Sequence, residues 1–273
     1  MTTLDTGSEQ LLAEVDDGVA VLTMNRAERR NALTIEMLEA LGRVLADLEH
    51  DDEVGAVVLT GAGGAFCAGG DVKTFAAGAP RPPAAEQVRQ QLASQLATSG
   101  RLWSMTKPTL AVLPGPAAGA GLSLALACDL RWAADSAVLT TAFASVGLAG
   151  DYGCAWFLTH LVGPGKAHEL MYLPERLSAQ RALDLGLLNA VVPAADLTEA
   201  ARSVARRLAH GPRAALAAMK ANLKLALSAS LEDYMPDEVA RHVAGYATPD
   251  HAEAARAFVE KRAPVFGKAM PSG

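Results

Sequence analysis

A single carboxylate lies inside an otherwise uncharged and largely apolar stretch of this sequence. Residues 143–156 read FASVGLAGDYGCAW, and Asp151 is the one charged residue among them. A buried carboxylate without a partner is costly, so such a group is normally paired, used as a helix cap or used in chemistry. Asp is a preferred N-cap residue, and a helix beginning near Gly153 would give it that role. In an apolar pocket the same acid would have a raised pKa and could transfer protons near neutral pH.

Two glycine-rich turns could supply unpaired backbone N–H groups, which an enzyme that transfers protons can use to bind an anion. GAGGAFCAGGD (61–71) follows the apolar run 56–60, and PGPAAGAG (114–121) follows the run 110–113. Small residues between a strand and a helix let the backbone approach a ligand, and the first N–H groups of the helix stay unpaired. Such donors bind phosphate or stabilise an oxyanion. Neither turn has a Walker or GxGxxG pattern, and plain tight turns would look the same.

The remaining reactive side chains give weaker patterns. His160 and His168 lie eight residues apart without an HExxH motif or a third ligand at useful spacing, so no metal site is expected. Cys67 lies in the first glycine-rich turn, where lining a pocket is a simpler role than acting as a nucleophile. The three cysteines form no CxxC pair, which favours a reducing compartment and no structural zinc.

The segments that would position these groups alternate between strands and helices. Asp17-Gly18 predicts a hairpin turn, and leucines at 38, 41, 45 and 48 predict one face of a helix beginning near Thr34. Further helices are expected over 84–105 and over the apolar residues 117–128, and the chain is mainly helical beyond Ser178. Strand, turn and helix units in succession predict an α/β core with partly parallel strands and a helical C-terminal appendage.

Composition excludes several classes of partner. The 273 residues are 51% hydrophobic with a net charge of −6, and no long run of Lys or Arg suggests nucleic acid. The uncharged segment 109–128 is interrupted by Pro114 and Pro116, and its unbroken part is too short to span a bilayer. The N-terminus lacks the plan of a signal peptide. We therefore expect a cytoplasmic protein that binds neither membrane nor nucleic acid.

The two glycine-rich turns with their flanks resemble the crotonase, or enoyl-CoA hydratase/isomerase, superfamily. The resemblance rests on AVVLTGAGGAFCAGGDVK and KPTLAVLPGPAAGAGLSLALACDLRWA, with further matches in NRAERRNALT, RLSAQRALDLGLLNAVVP and FVEKRAPVF. It covers about residues 10–268. It implies an α/β fold in which a crotonase-type spiral of β-β-α turns, residues 10–200, binds acyl-CoA. Residues 201–273 would form a helical trimerisation region, which gives a homotrimer or homohexamer.

The resemblance also implies a substrate and an oxyanion hole. Family members bind acyl-CoA thioesters and stabilise the enolate of the thioester carbonyl with two backbone N–H groups. By motif these donors fall at Ala68 in FCAGGD and at Ala120 in GAGL. Coenzyme A is carried as part of the substrate, so no separate cofactor is expected.

Further substrate contacts follow from the same resemblance. Residues 26–32 would lie along coenzyme A, where Arg26, Arg29 and Arg30 could meet phosphates, although solvated charges would look the same. Phe258 and Lys261 would approach the adenine end, often of a neighbouring subunit. Asp71 is expected to cap a short helix from Val72 to Ala76. The implied substrate-binding set is Arg26, Arg30, Ala32, Ala68, Gly69, Gly70, Asp71, Val72, Ala120, Ser123, Phe143, Phe258 and Lys261.

The sequence departs from the family at both glutamates that hydratases use for acid–base chemistry. Ser123 and Phe143 occupy those positions, and Ser123 is expected to be a buried helix hydroxyl bonded to a carbonyl of the preceding turn. Asp151 matches the position of an aspartate in several isomerases of the family. Moving a double bond needs one base that takes a proton from one carbon and returns it to another, whereas hydration must also position a water. Isomerisation with Asp151 as the proton shuttle is therefore the predicted reaction.

Three other functions remain open from the sequence. The chain could be a hydratase with a different acid–base set, or could catalyse another family reaction such as C–C cleavage or ring isomerisation. A serine hydrolase would use Ser123, but the sequence has no GxSxG elbow and no obvious histidine partner. An acyl-CoA-binding protein without activity could keep the turns and lose the acids.

Overall fold

A mixed β-sheet organises the N-terminal two thirds of the chain. Of the whole chain, the computed structural model describes residues 1–71 and 83–267. Within these residues the main sheet has the strand order β1-β2-β3-β4-β5-β7-β10, and a smaller sheet has the order β6-β8-β9. Strands β3, β4, β5, β7 and β10 run parallel to one another. The strands are β1 Thr2–Leu4, β2 Leu11–Asp16, β3 Val19–Met24, β4 Ala56–Gly61, β5 Thr109–Leu113, β6 Ala117–Ala118, β7 Leu130–Ala134, β8 Val138–Thr140, β9 Leu177–Ser178 and β10 Ala190–Val192.

Helices follow the strands and then dominate the C-terminal part. They are α1 Ile35–Glu49, α2 Ala84–Gln95, α3 Arg101–Ser104, α4 Ala120–Ala127, α5 Cys154–Tyr172, α6 Ala179–Asp184, α7 Leu197–Ala209, α8 Arg213–Leu225, α9 Leu231–Gly245 and α10 Pro249–Glu260. Short 3₁₀ turns cover Ala27–Arg29 and Ala144–Val146. Among the helices of the described residues, none combines the length and apolar character that crossing a membrane requires.

The first predicted elements are confirmed. Strands β2 and β3 form an antiparallel hairpin, and Asp17 and Gly18 between them have φ values of 50° and 77°, as a two-residue hairpin turn requires. Helix α1 begins after Thr34, whose side chain accepts the N–H of Met37 and so caps the helix. Leu41, Leu45 and Leu48 are buried along its inner face.

Two predicted helices differ from the structure. The segment 84–105 is interrupted by a π-helical turn at Leu96–Gly100, where the buried Thr98 and Ser99 hydroxyls donate to the carbonyls of Ser94 and Gln95. Hydroxyls that bond four residues back bend helices, and this accounts for the break. The segment 117–128 starts as strand β6, and helix α4 begins only at Ala120 because Gly119 turns the chain at a φ of 52°.

Helix α7 covers one face of the main sheet and includes the predicted domain boundary at residue 200. Its buried residues Leu197, Ala201, Ala205 and Ala209 pack against apolar side chains of β3, β4, β5 and β7. Parallel strands must be covered on both faces, so this helix belongs to the core. The predicted boundary at residue 200 falls inside α7, and the appended helices therefore begin at α8.

A buried ammonium group ties these appended helices to the core. The Lys220 side chain of α8 is 9% exposed and donates to Asp129 Oδ2 at 2.8 Å and to the Lys107 carbonyl at 3.1 Å. The same Asp129 oxygen accepts the backbone N–H and the hydroxyl of Thr109, at the start of β5. The ion pair thus joins α8 to the N-terminal end of a central strand.

Replacing Lys220 by Met should lower the free energy of unfolding by about 3 kcal/mol, because the Asp129 carboxylate would be left partly buried without its cation. Urea denaturation of the two proteins measures this difference. Lys224→Met, one turn further along α8, is the matched control, since Lys224 donates to the exposed carbonyl of Ser104 and lies over the Trp103 ring. Equal destabilisation by the two substitutions would contradict the role given to Lys220.

Candidate active site

The two glycine-rich turns meet at the carboxyl ends of β4 and β5. Phe66 N and Cys67 N both donate to the Pro116 carbonyl, at 3.0 and 3.1 Å, and Ala118 N donates to the Cys67 carbonyl at 2.9 Å. A Cβ at Gly121 would lie 2.6 Å from Cys67 Cβ, closer than two such atoms can approach. Glycine at this position therefore allows the first turn to pack directly on the start of α4.

The first turn presents a different N–H group from the one predicted. Ala68 N donates to the Arg30 carbonyl at 2.9 Å, so it is already used inside the fold. This bond contradicts the expectation that Ala68 is the first oxyanion donor. Two residues on, Gly70 N has no acceptor among residues 1–71 and 83–267, and Gly69 between them turns the chain at a φ of 85°.

The second turn presents an unpaired N–H where it was predicted. Ala120 is the first residue of α4, and its amide has no acceptor in the described part of the chain. Gly119 precedes it with φ 52° and ψ −127° and offers no side-chain cap. A Cβ at Gly69 would lie 3.4 Å from Ala120 N, so the two turns are in contact here. A helix N-terminus with free amides favours a negative charge.

The Asp151 side chain lies mostly buried in the loop that leads into α5. Its Oδ1 atom is fully buried and has no hydrogen-bond partner in the described residues. Burial raises the pKa of this carboxyl from 3.8 to about 6. The N-cap interpretation is wrong, because Gly153 is the N-cap of α5 and Cys154 N donates to the backbone carbonyl of Asp151 rather than to its side chain.

Cys154 lies close to this acid and links it to Ser123. Burial raises the pKa of the Cys154 thiol to about 11, the charge of Asp151 adds to the rise, and a hydrogen bond with the Ser123 side chain opposes it. Ser123 is fully buried and its Oγ donates to the Gly119 carbonyl at 3.2 Å, as predicted. Its hydroxyl is therefore committed to the turn that carries Ala120.

Phe143 fills the second position where hydratases have a glutamate. The side chain is 5% exposed, and its ring lies 3.8 Å from the place a Cβ would occupy on Gly119. It covers the second turn with apolar surface. Neither Ser123 nor Phe143 contributes a carboxylate. Asp71, at the end of the first turn, is paired with Arg26, whereas the buried Oδ1 of Asp151 has no partner in the described residues.

The predicted coenzyme A contacts divide into fixed and exposed groups. Arg26 is mostly buried, donates to the Ala32 carbonyl at 2.6 Å and pairs with Asp71 at 3.4 Å, so it ties its segment to the first turn. Arg29 and Arg30 are exposed, whereas Ala32 is buried. Val72, and with it the helix that Asp71 was expected to cap, lies outside the described residues.

The two C-terminal candidates lie at the end of α10. Phe258 is 85% exposed, and Lys261 ends the helix with a φ of 54°. The structure places neither residue beside Asp151 or the two turns. Their predicted contact with the adenine end of coenzyme A stays a prediction.

Sequence reasoning missed Asn31, which joins the two N-terminal segments of the site. Its fully buried side chain donates to the carbonyls of Ala62, Ala65 and Phe66 and accepts the N–H of Arg26 at 2.9 Å. Asn tolerates the left-handed φ of 57° found here better than most residues. In the sequence, the signal for this role was an asparagine directly after Arg29 and Arg30.

The other side chains weighed from the sequence have structural roles. Cys67 is fully buried, its thiol donates to the Asn31 carbonyl at 3.0 Å, and burial raises its pKa to about 12. A thiol in that state is not a nucleophile. The Nδ1 atoms of His160 and His168 contact carbonyls of their own helix, those of Trp156 and Pro164.

Comparison with known proteins agrees with this geometry. A sequence model of the family described as Enoyl-CoA hydratase/isomerase matches residues 14–269. The chain belongs to the enoyl-CoA hydratase/isomerase family. The crystal structure of an enoyl-CoA hydratase from Polaromonas sp. JS666 has the same fold, with a TM-score of 0.87 and 35% identity over 93% of this chain and 98% of that one. The crotonase-type α/β fold predicted from the sequence is thus confirmed.

Relatives in this enoyl-CoA hydratase/isomerase family differ in the reaction that their names give. The 1,2-epoxyphenylacetyl-CoA isomerase of Escherichia coli K12 is 35% identical over 260 residues, which cover 94% of this chain and 98% of the relative. The 4-chlorobenzoyl coenzyme A dehalogenase-1 of an Arthrobacter species is 36% identical over 255 residues, covering 91% and 90%. Both names specify acyl-CoA chemistry, and they differ in what happens to the acyl group.

The raised pKa of Asp151 makes a prediction about stability. The native carboxyl binds its proton up to about pH 6 and the unfolded one only to about pH 4, so this group's contribution to stability falls as the pH rises between those values. Asp151→Asn should therefore raise the free energy of unfolding by about 1 kcal/mol at pH 7.5, allowing for solvent screening, and by little at pH 4.

Urea unfolding at the two pH values measures this effect. Asp47→Asn, at an exposed position of α1, is the matched control and should change stability equally little at both. A destabilising Asp151→Asn at pH 7.5 would mean that the carboxylate has a favourable partner in the folded protein.

Proposed function

We propose that this protein is an acyl-CoA isomerase that moves a carbon–carbon double bond of an enoyl thioester, with Asp151 as the proton shuttle. The observation that carries the proposal is the Asp151 carboxyl, whose buried Oδ1 has no hydrogen-bond partner in the described residues, together with two contacting turns whose Gly70 and Ala120 amides are free in the same residues. The names of relatives support acyl-CoA as the substrate class and include an isomerase.

The amides of Gly70 and Ala120 form the oxyanion hole in this proposal. The thioester carbonyl oxygen gains negative charge when a proton leaves the neighbouring carbon, and fixed N–H groups stabilise that charge without having to reorganise. Gly70 replaces Ala68 because its amide is not used inside the fold. Helix α4 contributes the positive end of its dipole at Ala120.

Asp151 carries the proton between two carbons of the acyl chain. Its carboxylate takes a proton from the carbon next to the thioester carbonyl, and the electron pair of the broken C–H bond is delocalised onto the thioester oxygen. The neutral acid then returns the proton to the carbon two positions further along, and the double bond moves into conjugation with the carbonyl. A pKa of about 6 suits this exchange, since both forms of the acid are accessible near neutral pH.

Hydration is the weaker candidate because it needs a positioned nucleophilic water as well as an acid. The two places from which the family's hydratases supply carboxylates hold a hydroxyl bonded to Gly119 and a buried phenyl ring. One carboxyl is sufficient for a shuttle. In a hydratase, the Asp151 carboxyl would have to activate and orient the water without a second acid.

Assays with 3-enoyl-, 2-enoyl- and dienoyl-CoA thioesters test the proposed reaction. Asp151→Asn should lower kcat for the 3-enoyl to 2-enoyl conversion by about 100- to 10,000-fold, because the side chain that carries the proton is lost. The exposed Asp47→Asn is the control. In the unmodified enzyme, kcat/KM should fall below pH 6, where the base becomes protonated.

Three results would contradict the isomerase assignment. Hydration unaffected by Asp151→Asn would favour a hydratase with a different acid–base set. Full isomerisation by Asp151→Asn would exclude Asp151 as the shuttle. Binding of every thioester without turnover would identify an acyl-CoA-binding protein.

Removing the Ala120 amide tests the oxyanion hole. Ala120→Pro deletes the N–H at the first position of a helix, where proline is tolerated. Gly119, the residue before it, has φ 52° and ψ −127°, which is the mirror image of the extended conformation of residues before proline. Glycine has no Cβ and can hold this mirror-image conformation. We expect kcat to fall about 100- to 1,000-fold with the fold retained by circular dichroism.

Ala84→Pro is the control for this variant, since Ala84 is the exposed first residue of α2 and follows an extended Pro83. Undiminished kcat in Ala120→Pro would remove this amide from the mechanism.

We propose further that the protein assembles as a homotrimer or homohexamer through its C-terminal helices. Helix α9 exposes about half or more of Leu231, Met235, Val239 and Val243, which recur every four residues along one face. A groove of about 690 Å³ lies between α8, α9 and α10 beside them. Apolar faces of this extent are typical of subunit interfaces. Phe258 at the end of α10 could then reach a neighbour's substrate.

Val239→Glu should break this assembly into smaller species, because a charge would be buried in the subunit interface. Analytical ultracentrifugation gives the molecular mass of each variant. Glu232→Gln, at an exposed position on the same helix, should leave the mass unchanged. A monomeric unmodified protein would refute the proposed assembly.

A further inference from the structure

The peptide group between Asp151 and Tyr152 is held at both of its polar atoms. On one side, the Tyr152 N–H donates to the Oε1 atom of Gln95 at 2.9 Å. On the other side, the Asp151 carbonyl accepts the N–H of Cys154 at 3.0 Å. Rotation of this peptide would break both bonds, so they hold the backbone from which the Asp151 side chain leaves.

The loop around this peptide needs such an anchor. Gly147, Gly150, Tyr152 and Gly153 all have positive φ, and for Tyr152, at 49°, this is an uncommon conformation. Residues 144–150 are exposed. The Asp151 Oδ1 atom has no partner among the described residues, so the carboxyl is not positioned by bonds of its own.

Gln95 lies where helix α2 changes into a π-helical turn. It is the last residue of α2, and the π-helical turn Leu96–Gly100 follows at once. The Ser99 hydroxyl donates to the Gln95 carbonyl at 3.2 Å, and Thr98 and Ser99 in that turn are buried. π-Helical turns occur frequently at functional sites, where they redirect a side chain. Here the turn coincides with the residue whose side chain reaches the Asp151 loop.

Tyr152 also lies next to Ser94 on the same helix. Its phenol is buried, which raises its pKa, and the Ser94 side chain offsets part of that rise. Ser94 and Gln95 thus act on the two ends of one residue, its hydroxyl and its backbone amide.

We propose that Gln95 is a positioning residue for the proton shuttle, which orients the Asp151 carboxyl through the Asp151–Tyr152 peptide. The inference rests on the proposed function and deepens it. Gln95 binds the backbone next to the acid and touches neither the acid nor the reacting atoms. Its effect on turnover therefore comes from geometry, to which proton transfer is sensitive at the level of an ångström.

Three variants separate the acceptor from the charge and the size of this side chain. Gln95→Met keeps the length and loses the acceptor. Gln95→Glu keeps an acceptor oxygen and adds a negative charge. Gln91→Met makes the first substitution one turn earlier on α2, at an exposed residue, and is the control.

We expect Gln95→Met to lower kcat for the enoyl-CoA isomerisation about 100-fold, with KM changed less than about threefold. The acid limb of the kcat/KM profile should move to lower pH, because a released Asp151 reaches solvent. Gln95→Glu should recover most of kcat and move that limb to higher pH, since a second negative charge disfavours ionisation of Asp151. Within residues 1–71 and 83–267, the titratable groups on which the charge of Asp151 acts are Tyr152 and Cys154, and both carry raised pKa values that keep them neutral at pH 7.

A titration of Asp151 by carboxyl ¹³C NMR makes this test independent of activity. A pKa of Asp151 that falls in Gln95→Met and rises in Gln95→Glu supports positioning, even if the protein proves not to be an isomerase. Unchanged kcat, pH limb and Asp151 pKa in Gln95→Met would overturn the inference while leaving the proposed function intact. Lower unfolding stability with those three quantities unchanged would likewise assign Gln95 a purely structural role.

Discussion

The buried amide of Asn31 is the interaction on which the whole site depends. Three carbonyls of the first glycine-rich turn converge on its Nδ2 atom, and Cys67 returns a hydrogen bond to its carbonyl. Without this donor the buried carbonyls of Ala65 and Phe66 would lose a hydrogen bond, at a cost of about 1 to 3 kcal/mol for each. The turn is therefore closed around a side chain from an earlier segment, and the same segment takes up the Ala68 amide through Arg30. Gly70 is left with the free amide as a result.

The acid is arranged in the opposite way. Asn31 is fully satisfied, whereas Asp151 has a buried oxygen with no partner among the described residues, and burial alone raises its pKa. A fold tolerates such an arrangement when the surrounding backbone is firmly held. Pinning the Asp151–Tyr152 peptide from α2 and from α5 meets that condition. The polar network around Asn31 and the isolated carboxyl are thus complementary parts of one site.

The sequence predicted most of the fold because its signals were local. Asp17-Gly18, the Thr34 cap and the leucine spacing of α1 each act within a few residues, and the structure contains all three elements. The breaks within 84–105 and 117–128 were missed because they depend on hydroxyl bonds to the backbone and on strand pairing with a distant segment. The predicted boundary at residue 200 falls inside α7, whose packing depends on a sheet built from residues far earlier in the chain.

Within the site, residue type pointed to Asp151, whereas the family resemblance pointed to Ser123, Phe143 and the Ala120 amide. Motif placed the first donor at Ala68, and the structure contradicts this because the Arg30 carbonyl takes that amide, which a motif does not reveal. The role of Asn31 depends equally on contacts more than thirty residues away. Side-chain identity is visible in a sequence, whereas the occupancy of backbone groups is a property of the folded chain.

The free amides of Gly70 and Ala120 belong to the main chain, and this has an evolutionary consequence. Almost any substitution leaves a backbone N–H in place, so point mutation can exchange the acids of such a site while the anion-binding centre persists. New reactions can then arise on the same thioester one side chain at a time. Relatives of comparable identity that carry the names of an isomerase and a dehalogenase fit a scaffold of this kind.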